Sequence, residues 1–399
     1  MVKSFLNNID GKNAIQKQSI LGLCINGDFS IADLSKELGA SIPTITKLVE
    51  ELIDDGFLID MGKQCTNGGR RPSIYGLNPL AGYFVGCDIN GNDISIIITN
   101  FNGKVVDYQT NIPFTLKNSE ESVESLVRLI QENVGRLGIE QDKIMACGIN
   151  LTGRVNHKTG YSFSYFISED KSLSSIMQGK LGCPVYVEND SRAMAYGEYI
   201  AGVCNNEKNV IFINVSWGLG MGMIMDGHLS YGKSGFSGEI GHFPMLNNDQ
   251  ICRCGKIGCL ETGASGSAAH RIFMEKLAEG RASVLSDKFN AGEEITLSDI
   301  LDAVLEEDVL AISTIEEIGF TLGKAIAGLI NIFNPELVVI GGMLSTVEKY
   351  LMLPIKSSIQ KHSLNIVNKD TDIVFSKLGM KAGPIGICML SRSQLLGLL

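Results

Sequence analysis

The stretch VYVENDSRAMAYGEYIAG, residues 185–202, decides the fold class of this 399-residue chain. It begins with a short β-branched run, turns polar at Glu-Asn-Asp, and continues as a helical segment. A second apolar strand follows at residues 209–216, NVIFINVS, and then a glycine-rich hairpin, GLGMGMIMDGHL. Strand, helix and strand in alternation predict an α/β domain with a mixed sheet.

The same alternation extends over most of the chain. From Gly82 onward, three β-rich runs (YFVGCDIN, DISIIITNFNG and KVVDYQTNIPF) precede a helix at 119–137 and the strand KIMACGINL. A long helix at about 309–333 precedes PELVVIGG, a buried strand that ends in a glycine pair. The length and the pattern predict two similar α/β lobes with a cleft between them.

Composition is that of a globular protein, with 44% hydrophobic and 20% charged residues. No run reaches the eighteen apolar residues of a spanning helix, and the N-terminus lacks the features of a secretory signal. We therefore expect a cytoplasmic protein without membrane contact, whose ten cysteines are thiols or metal ligands. The net charge of −10 argues against nucleic-acid binding along the whole chain, so any such contact must be local.

Residues 1–80 predict a separate domain. A helix is expected at 13–26, and Ser30 with Asp33 forms a capping-box pattern before a second helix, IADLSKEL, that Gly39 ends. Ser41 caps a third helix, IPTITKLVEELIDD. Two strand-like runs, FLIDM and SIYGLN, flank GKQCTNGGRRP. Three helices and a β-hairpin predict a winged helix.

A winged helix of this kind is a candidate DNA-binding domain. On the third helix Thr44, Thr46 and Lys47 are expected to face the major groove, while Ile45, Leu48, Leu52 and Ile53 pack inward. Arg70 and Arg71 on the wing are expected to reach phosphates or the minor groove. The alternative is a helical module that binds protein instead of DNA.

A cluster of metal-ligating residues lies in GHFPMLNNDQICRCGKIGCLE, residues 241–261. Cys252, Cys254 and Cys259 fall within eight residues, and His242 precedes the first cysteine by ten. The Cys-x-Cys step is tighter than the usual Cys-x₂-Cys of zinc sites. From spacing alone the cluster is either a metal site or a group of reduced thiols.

The chain resembles the ROK family of sugar kinases and sugar-responsive transcriptional repressors. The resemblance rests on VENDSRAMAYGE, GEIGH, CRCGKIGCLE and NIFNPELVVIGG, which occur in family order between Gly82 and the C-terminus. A winged helix ending in GGRRPSIYGLNP is similar to the repressor branch. The resemblance implies an actin-like, hexokinase-like fold over 81–399, with one lobe formed by about 81–190 and 380–399 and the other by about 191–379.

The resemblance also implies a structural zinc and a sugar site. His242, Cys252, Cys254 and Cys259 match the family's zinc ligands, and a closed set of four leaves no position for a reactive water. The positions that match the family's sugar contacts are Gly153, Asn189, Asp190, Glu239, His242 and Glu261. Thr152 stands where the kinases usually have proline. Asn189 and Asp190 have an alternative role as caps of the helix that follows them.

The phosphate-binding loops depart from the kinase pattern. The first loop reads Asp88-Ile89-Asn90-Gly91-Asn92. The sugar kinases that the chain resembles have Asp-x-Gly-Gly-Thr at this position. The second reads Ser216-Trp217-Gly218-Leu219-Gly220, so that the chain's single tryptophan replaces the phosphate-contacting threonine. Phosphoryl transfer depends on positioning and charge stabilisation, so we expect it to be lost. A weak kinase remains an alternative for two reasons: the GGMLS turn is intact, and the Trp217 side chain could point into the core.

These observations predict a sugar-responsive regulator, most simply a repressor of carbohydrate-utilisation genes. Its expected partners are operator DNA, a sugar or sugar-phosphate effector, and further copies of itself as a dimer or tetramer. Asp190 matches the general base of the kinases and would serve that role in the alternative, an ATP-dependent hexose or N-acetylhexosamine kinase. A further alternative is a protein whose winged helix docks a protein partner.

Overall fold

The computed structural model describes residues 11–63, 72–91, 93–167 and 170–399. Within these residues the chain forms two compact units. The first unit contains everything up to Glu188 together with the C-terminal segment Ile387–Leu399, and the second contains Asn189–Gly386. The N-terminal head and the first α/β sheet therefore belong to one unit.

The head has the helix order of a winged helix. Its helices are α1 (Lys12–Cys24), α2 (Ile31–Leu38) and α3 (Ile42–Asp54). Its strands are β1 (Phe29–Ser30), β2 (Leu58–Lys63) and β3 (Ser73–Leu77), which pair antiparallel in the order β1-β3-β2. The short strand β1 was not predicted, because two residues carry no periodicity.

Capping fixes the helix boundaries of the head. The Ser30 hydroxyl accepts from the Asp33 amide and the Asp33 carboxylate accepts from the Ser30 amide, so the predicted capping box is present. Gly39 ends α2 with φ of 59°, and the Ser41 hydroxyl caps α3. Helix α1 begins one residue earlier and ends two residues earlier than predicted.

The buried face of α3 differs slightly from the prediction. Ile45, Leu48 and Leu52 are buried, as expected, and Val49 is buried with them. Ile53 is only partly buried. The apolar stripe thus follows the 3, 4 and 7 spacing from Ile45, which Ile53 does not share.

The α/β part of the first unit is built on a five-stranded mixed sheet of order β10-β7-β4-β5-β6. Strand β4 pairs antiparallel with β5 and parallel with β7. Its elements are β4 (Tyr83–Ile89), β5 (Asp93–Asn100), β6 (Val105–Pro113), α4 (Glu120–Arg136), β7 (Ile144–Leu151), β8 (Val155–Asn156), β9 (Tyr161–Ser162), α5 (Leu173–Leu181) and β10 (Val185–Asn189).

The second unit is built on another five-stranded mixed sheet, of order β13-β12-β11-β14-β15. Its strands are β11 (Val210–Val215), β12 (Leu219–Met225), β13 (His228–Leu229), β14 (Leu337–Gly341) and β15 (Asp372–Phe375). Its helices are α6 (Asp190–Ala201), α7 (Glu261–Ala264), α8 (Gly266–Ala278), α9 (Ser286–Asn290), α10 (Leu297–Leu305), α11 (Val309–Phe333), α12 (Glu348–His362) and α13 (Asn365–Asn368). Helix α14 (Ala382–Leu395) begins in this unit and ends in the first.

The sheet of the second unit brings two glycine-rich turns to one edge. Strands β11 and β14 are parallel, with Asn214 opposite Gly341, so the loop after β11 and the turn after β14 are neighbours. The core beneath them includes one face of α11, the helix predicted at 309–333. Across the described ranges, the chain has no helix both long enough and apolar enough to span a bilayer.

Candidate functional site

The four predicted metal ligands come together in the second unit. One ligand atom from each of His242, Cys252, Cys254 and Cys259 lies within 4.8 Å of the other three. Cys252 and Cys259 are buried, and His242 and Cys254 are partly exposed. The fold therefore brings together four residues that are up to 17 positions apart in the sequence.

A tight hairpin creates this closure. The Cys252 amide donates to the Lys256 carbonyl at 2.7 Å, and the Gly255 amide donates to the Cys252 carbonyl at 2.8 Å. Gly255 has φ of 80° and Gly258 of 73°, which are left-handed values that favour glycine. The short Cys-x-Cys step is accommodated because Gly255 turns the chain immediately after Cys254.

The spacing of the ligand atoms fits a tetrahedral metal ion. The sulfurs of Cys254 and Cys259 are 3.6 Å apart, and the sulfur of Cys252 is 3.6 Å from Nδ1 of His242. Zn–S bonds of about 2.3 Å and Zn–N bonds of about 2.0–2.1 Å place tetrahedral ligand pairs about 3.5–3.8 Å apart. Three sulfurs and one nitrogen in this arrangement could hold zinc with no position left for a substrate or water.

Two carboxylates border the cluster. Oε2 of Glu239 is 3.8 Å from Nε2 of His242, whereas Cys252 is near the other ring nitrogen, Nδ1. Oε2 of Glu261 accepts from the Leu219 amide at 3.1 Å, and Oε1 lies 3.7 Å from the Cys252 sulfur. Glu261 thus connects the cysteine cluster to the second glycine-rich loop, a contact that the sequence did not reveal.

Asn189 and Asp190 lie at the start of α6. Oδ1 of Asn189 accepts from the Arg192 amide at 3.2 Å, so Asn189 is the N-cap of α6. Oδ1 of Asp190 accepts from the side-chain Nδ2 of Asn189 at 2.8 Å and from the backbone amide of Ser191 at 2.7 Å. Burial raises the pKa of Asp190 to about 6, although the bonds from Ser191 oppose the shift. Capping and ligand binding are compatible here, because Oδ2 of Asp190 is not used by these bonds.

The second glycine-rich loop exposes its tryptophan. The Trp217 side chain is 46% exposed, and its ring centroid lies 5.6 Å from that of His270. The Trp217 carbonyl accepts from the Ser267 amide at 2.9 Å, which fixes the loop on α8. The indole therefore does not point into the core, and that alternative is wrong.

The glycine pair after β14 has a structural cause of its own. Gly342 has φ of 87°, and a Cβ there would lie 2.5 Å from Oδ1 of Asn214 and 2.6 Å from Oγ of Ser216. The Met343 amide donates to Oγ of Ser216 at 3.3 Å. Only glycine fits this turn, with or without a nucleotide, so the intact GGMLS motif is weak support for ATP binding.

A short polar network joins the second glycine-rich loop to α6, and the sequence did not predict it. Nδ2 of Asn214 donates to Oγ of Ser191 at 3.2 Å, and Oγ of Ser216 donates to Oδ1 of Asn214 at 2.8 Å. One sequence feature could have indicated it. Asn214 is a polar residue near the end of the apolar run NVIFINVS, and a buried polar side chain needs hydrogen-bond partners.

Two predicted features lie in the first unit. In the first loop, the Asn90 side chain donates to the Asp93 carboxylate at 3.1 Å, and the Asn90 amide donates to the Asp93 carbonyl at 2.9 Å. Asn92, in the same loop, lies outside the described residues. Gly153 has φ of 91°, and a Cβ there would collide with Ser164. The other five predicted sugar contacts lie in the second unit.

The predicted DNA-reading residues lie on the outer face of α3. Thr44 and Lys47 are exposed, and Thr46 is partly exposed. The Thr44 hydroxyl is 2.8 Å from that of Ser41, and the Thr46 hydroxyl donates to the Ile42 carbonyl at 2.8 Å. Arg70 and Arg71 lie outside the described residues.

Comparisons with known proteins agree with this architecture. The ROK family model matches residues 84–394. The xylose repressor of Caldicellulosiruptor bescii is 30% identical over 93% of both chains. A glucokinase of Halalkalibacterium halodurans is 29% identical over 78% of this chain and 96% of its own.

One solved structure is similar to nearly the whole chain. The crystal structure of a ROK family transcriptional regulator, a homologue of the E. coli Mlc protein, superposes with a TM-score of 0.79 at 29% identity. The superposition covers 93% of each chain. The similarity therefore includes the head as well as the two α/β sheets.

Proposed function

Since the chain belongs to the ROK family, we propose that it is a sugar-responsive transcriptional repressor. The observation that carries the proposal is the winged-helix head. The alignment with the xylose repressor covers 93% of this chain. The alignment with the glucokinase covers only 78% of this chain, although it covers 96% of the glucokinase. The difference is comparable to the size of the head, which a kinase does not need.

The proposed DNA contact is the outer face of α3, with Arg70 and Arg71 at the wing. Thr44, Thr46 and Lys47 are small or flexible polar side chains, suited to base edges and phosphates. A two-fold dimer would place two such helices on the half-sites of a palindromic operator. A gel-shift titration with duplexes selected from a random library tests DNA binding whatever the sequence of the operator is.

The proposed sugar contacts are Asn189, Asp190, Glu239, His242 and Glu261 in the second unit and Gly153 in the first. Carboxylates and amides suit the donor and acceptor pattern of sugar hydroxyls. His242 is compatible with two roles, because Nδ1 faces the cysteine cluster and Nε2 faces Glu239. Metal ligation through Nδ1 would leave Nε2–H to donate to Glu239 or to a hydroxyl.

The proposed metal is a structural zinc held by His242, Cys252, Cys254 and Cys259. The ligand spacing of 3.6 Å in two pairs supports this assignment. When bound, the ion would fix the hairpin between Glu239 and Glu261. It would thereby hold two proposed sugar contacts at a set separation.

We propose a regulator instead of an enzyme because of the two phosphate loops. The exposed indole of Trp217 stands where kinases have a threonine hydroxyl, and Asn90 is tied to Asp93. The kinase alternative is supported by the similarity to the glucokinase and by the pKa of Asp190 at about 6, which suits a general base at neutral pH. A coupled assay decides: sugar phosphorylation that disappears in Asp190→Asn would establish the kinase.

The first test is a thermal-shift screen against D-xylose, D-glucose, N-acetyl-D-glucosamine and their phosphates, each with and without Mg-ATP. A ligand that binds the folded state raises the melting temperature by mass action. We expect a shift with one sugar and no further shift with Mg-ATP. Absence of any sugar shift together with absence of DNA binding would reject the proposed function.

A further inference from the structure

The C-terminal end of the chain packs on the first helix of the DNA-binding head. Gln18, on α1, is 8% exposed, and its Nε2 donates to the Leu395 carbonyl at 3.1 Å. A Cβ at Gly22, one turn further along α1, would lie 2.5 Å from Cδ2 of Leu398. Helix α1 therefore lacks a side chain where Leu398 rests against it.

The end of α14 is shaped for this contact. Gly397 has φ of 66°, its amide donates to the Gln394 carbonyl at 3.1 Å, and the Leu398 amide donates to the Ser393 carbonyl at 2.9 Å. This is a Schellman ending, which places an apolar side chain just after the left-handed glycine. That side chain is Leu398, and it meets α1.

The same helix is anchored to the sheet of the first unit. The sulfur of Cys388 lies 3.2 Å from Oγ1 of Thr99 on β5 and 3.5 Å from the Phe84 carbonyl on β4. At Gly148 on β7, the absence of a side chain lets the backbone of α14 approach within contact distance. The head thus rests on a helix that the sheet holds in place.

The beginning of α14 contacts α6, the helix that begins at Asp190 and is capped by Asn189. Within the second unit, a Cβ at Gly386 would collide with the Ala193 carbonyl of α6, and one at Gly197 would collide with the Ala382 carbonyl. Each helix thus presents a glycine to the backbone of the other: Gly386 of α14 and Gly197 of α6. No flexible side chain lies at these two contacts to absorb a displacement. Since α6 begins at Asp190, a movement of that residue's helix must be passed to α14.

We propose that α14 couples sugar binding to the DNA-binding head, with Gln18 and Leu398 as positioning residues. The inference rests on the proposed function and names its route of regulation. One end of α14 follows α6, and the other end holds α1. The sugar-dependent change in DNA affinity then requires the Leu398–Gly22 contact, whereas sugar binding itself does not.

The test compares Leu398→Asp with Leu399→Asp in the full-length chain. Leu398 is 39% exposed and Leu399 is 49% exposed, and a Cβ at Gly22 would meet the Leu398 side chain. Leu399→Asp therefore adds the same charge one residue away from that contact. DNA affinity is measured with a duplex that the wild-type chain selects from a random library. Each Kd is determined with and without whichever of D-xylose, D-glucose and N-acetyl-D-glucosamine gives the largest thermal shift.

We expect Leu398→Asp to reduce the ratio of the two Kd values at least about fivefold, while Leu399→Asp keeps the wild-type ratio. The sugar thermal shift and the zinc content should be unchanged in both variants. A wild-type ratio in Leu398→Asp would overturn the coupling role of α14.

A second measurement decides the inference even if the wild-type chain binds no DNA, an outcome that would reject the proposed function instead. Hydrogen exchange of the amides in α1 reports the docking of the head directly. We expect faster exchange over Lys12–Cys24 in Leu398→Asp than in Leu399→Asp. Equal exchange in the two variants would show that Leu398 does not hold the head.

Discussion

At the scale of single residues, Asp190 has an environment that opposes its charge. Burial raises its pKa to about 6, above the ordinary value near 3.8. Ionisation is thus harder in the folded chain than in the unfolded one, so stability falls as pH rises from about 4 to about 6 and stays lower above that. Asp190→Asn removes the charge and keeps an oxygen for the bonds now made to Oδ1.

Asp190→Asn should therefore be stabilised relative to the wild type at pH 7, by up to about 3 kcal/mol, and much less at pH 4. Urea unfolding at both pH values measures the difference. Asp299 is a control of opposite sign, because its hydrogen bond with Lys288 lowers its pKa to about 2. Asp299→Asn should cost stability at pH 7. An Asp190→Asn effect independent of pH would contradict the burial argument.

Trp217 is the residue on which the proposed exclusion of nucleotide depends. Replacement by threonine restores the hydroxyl of the kinase loop, Ser-Thr-Gly-Leu-Gly, and removes the exposed indole. We expect Trp217→Thr to acquire a thermal shift with Mg-ATP that the wild type lacks, since ligand binding stabilises the folded state. Trp217→Phe keeps a large ring and should show none. A shift in the wild type would mean that the indole does not block the loop.

At the scale of elements, the cysteine hairpin carries three of the four proposed zinc ligands. Burial raises the pKa of Cys252 to about 12, so its thiolate would need a nearby cation to compensate the charge. Metal binding to such a loop contributes directly to folding free energy. The hairpin should therefore lose its order when one ligand is removed.

Cys254→Ser tests the hairpin. We expect elemental analysis to give about one zinc per wild-type chain and far less in the variant, and the melting temperature to fall by at least about 4 °C. Cys204→Ser is the matched control, because Cys204 is a partly exposed thiol outside the cluster. Wild-type protein without zinc after expression in zinc-supplemented medium would reject the metal assignment.

The elements show which structural features a sequence can reveal. Ser30, Gly39 and Ser41 specify their helix ends locally, so the head was predictable from caps and periodicity. Helix α11 was predictable because a 25-residue apolar pattern is long. The helices between Glu261 and Leu305 were not predicted, although α8 has 13 residues, as many as α3. Contacts such as Glu261 with the Leu219 amide join residues 42 positions apart, which no local pattern encodes.

At the scale of the whole molecule, charge restricts where DNA can bind. The chain carries a net charge of −10, and residues 1–80 hold eight basic and nine acidic side chains. Non-specific attraction to DNA is therefore weak, and affinity must come from a few placed cations. Lys47 is one such cation, with a side chain 73% exposed and only a 3.9 Å ion pair to Glu51.

The salt dependence of DNA binding counts those cations. The logarithm of the binding constant falls with the logarithm of salt concentration by about 0.9 for each phosphate neutralised. In a two-fold dimer, Lys47→Ala should lower that slope by about 2 and weaken binding to all sequences alike. Lys349→Ala, far along the chain from the head, should leave the slope unchanged. If Lys47→Ala keeps the wild-type slope, the DNA contact does not lie on the outer face of α3. The same measurement on Arg70→Ala and Arg71→Ala would then show whether the wing alone makes the contact.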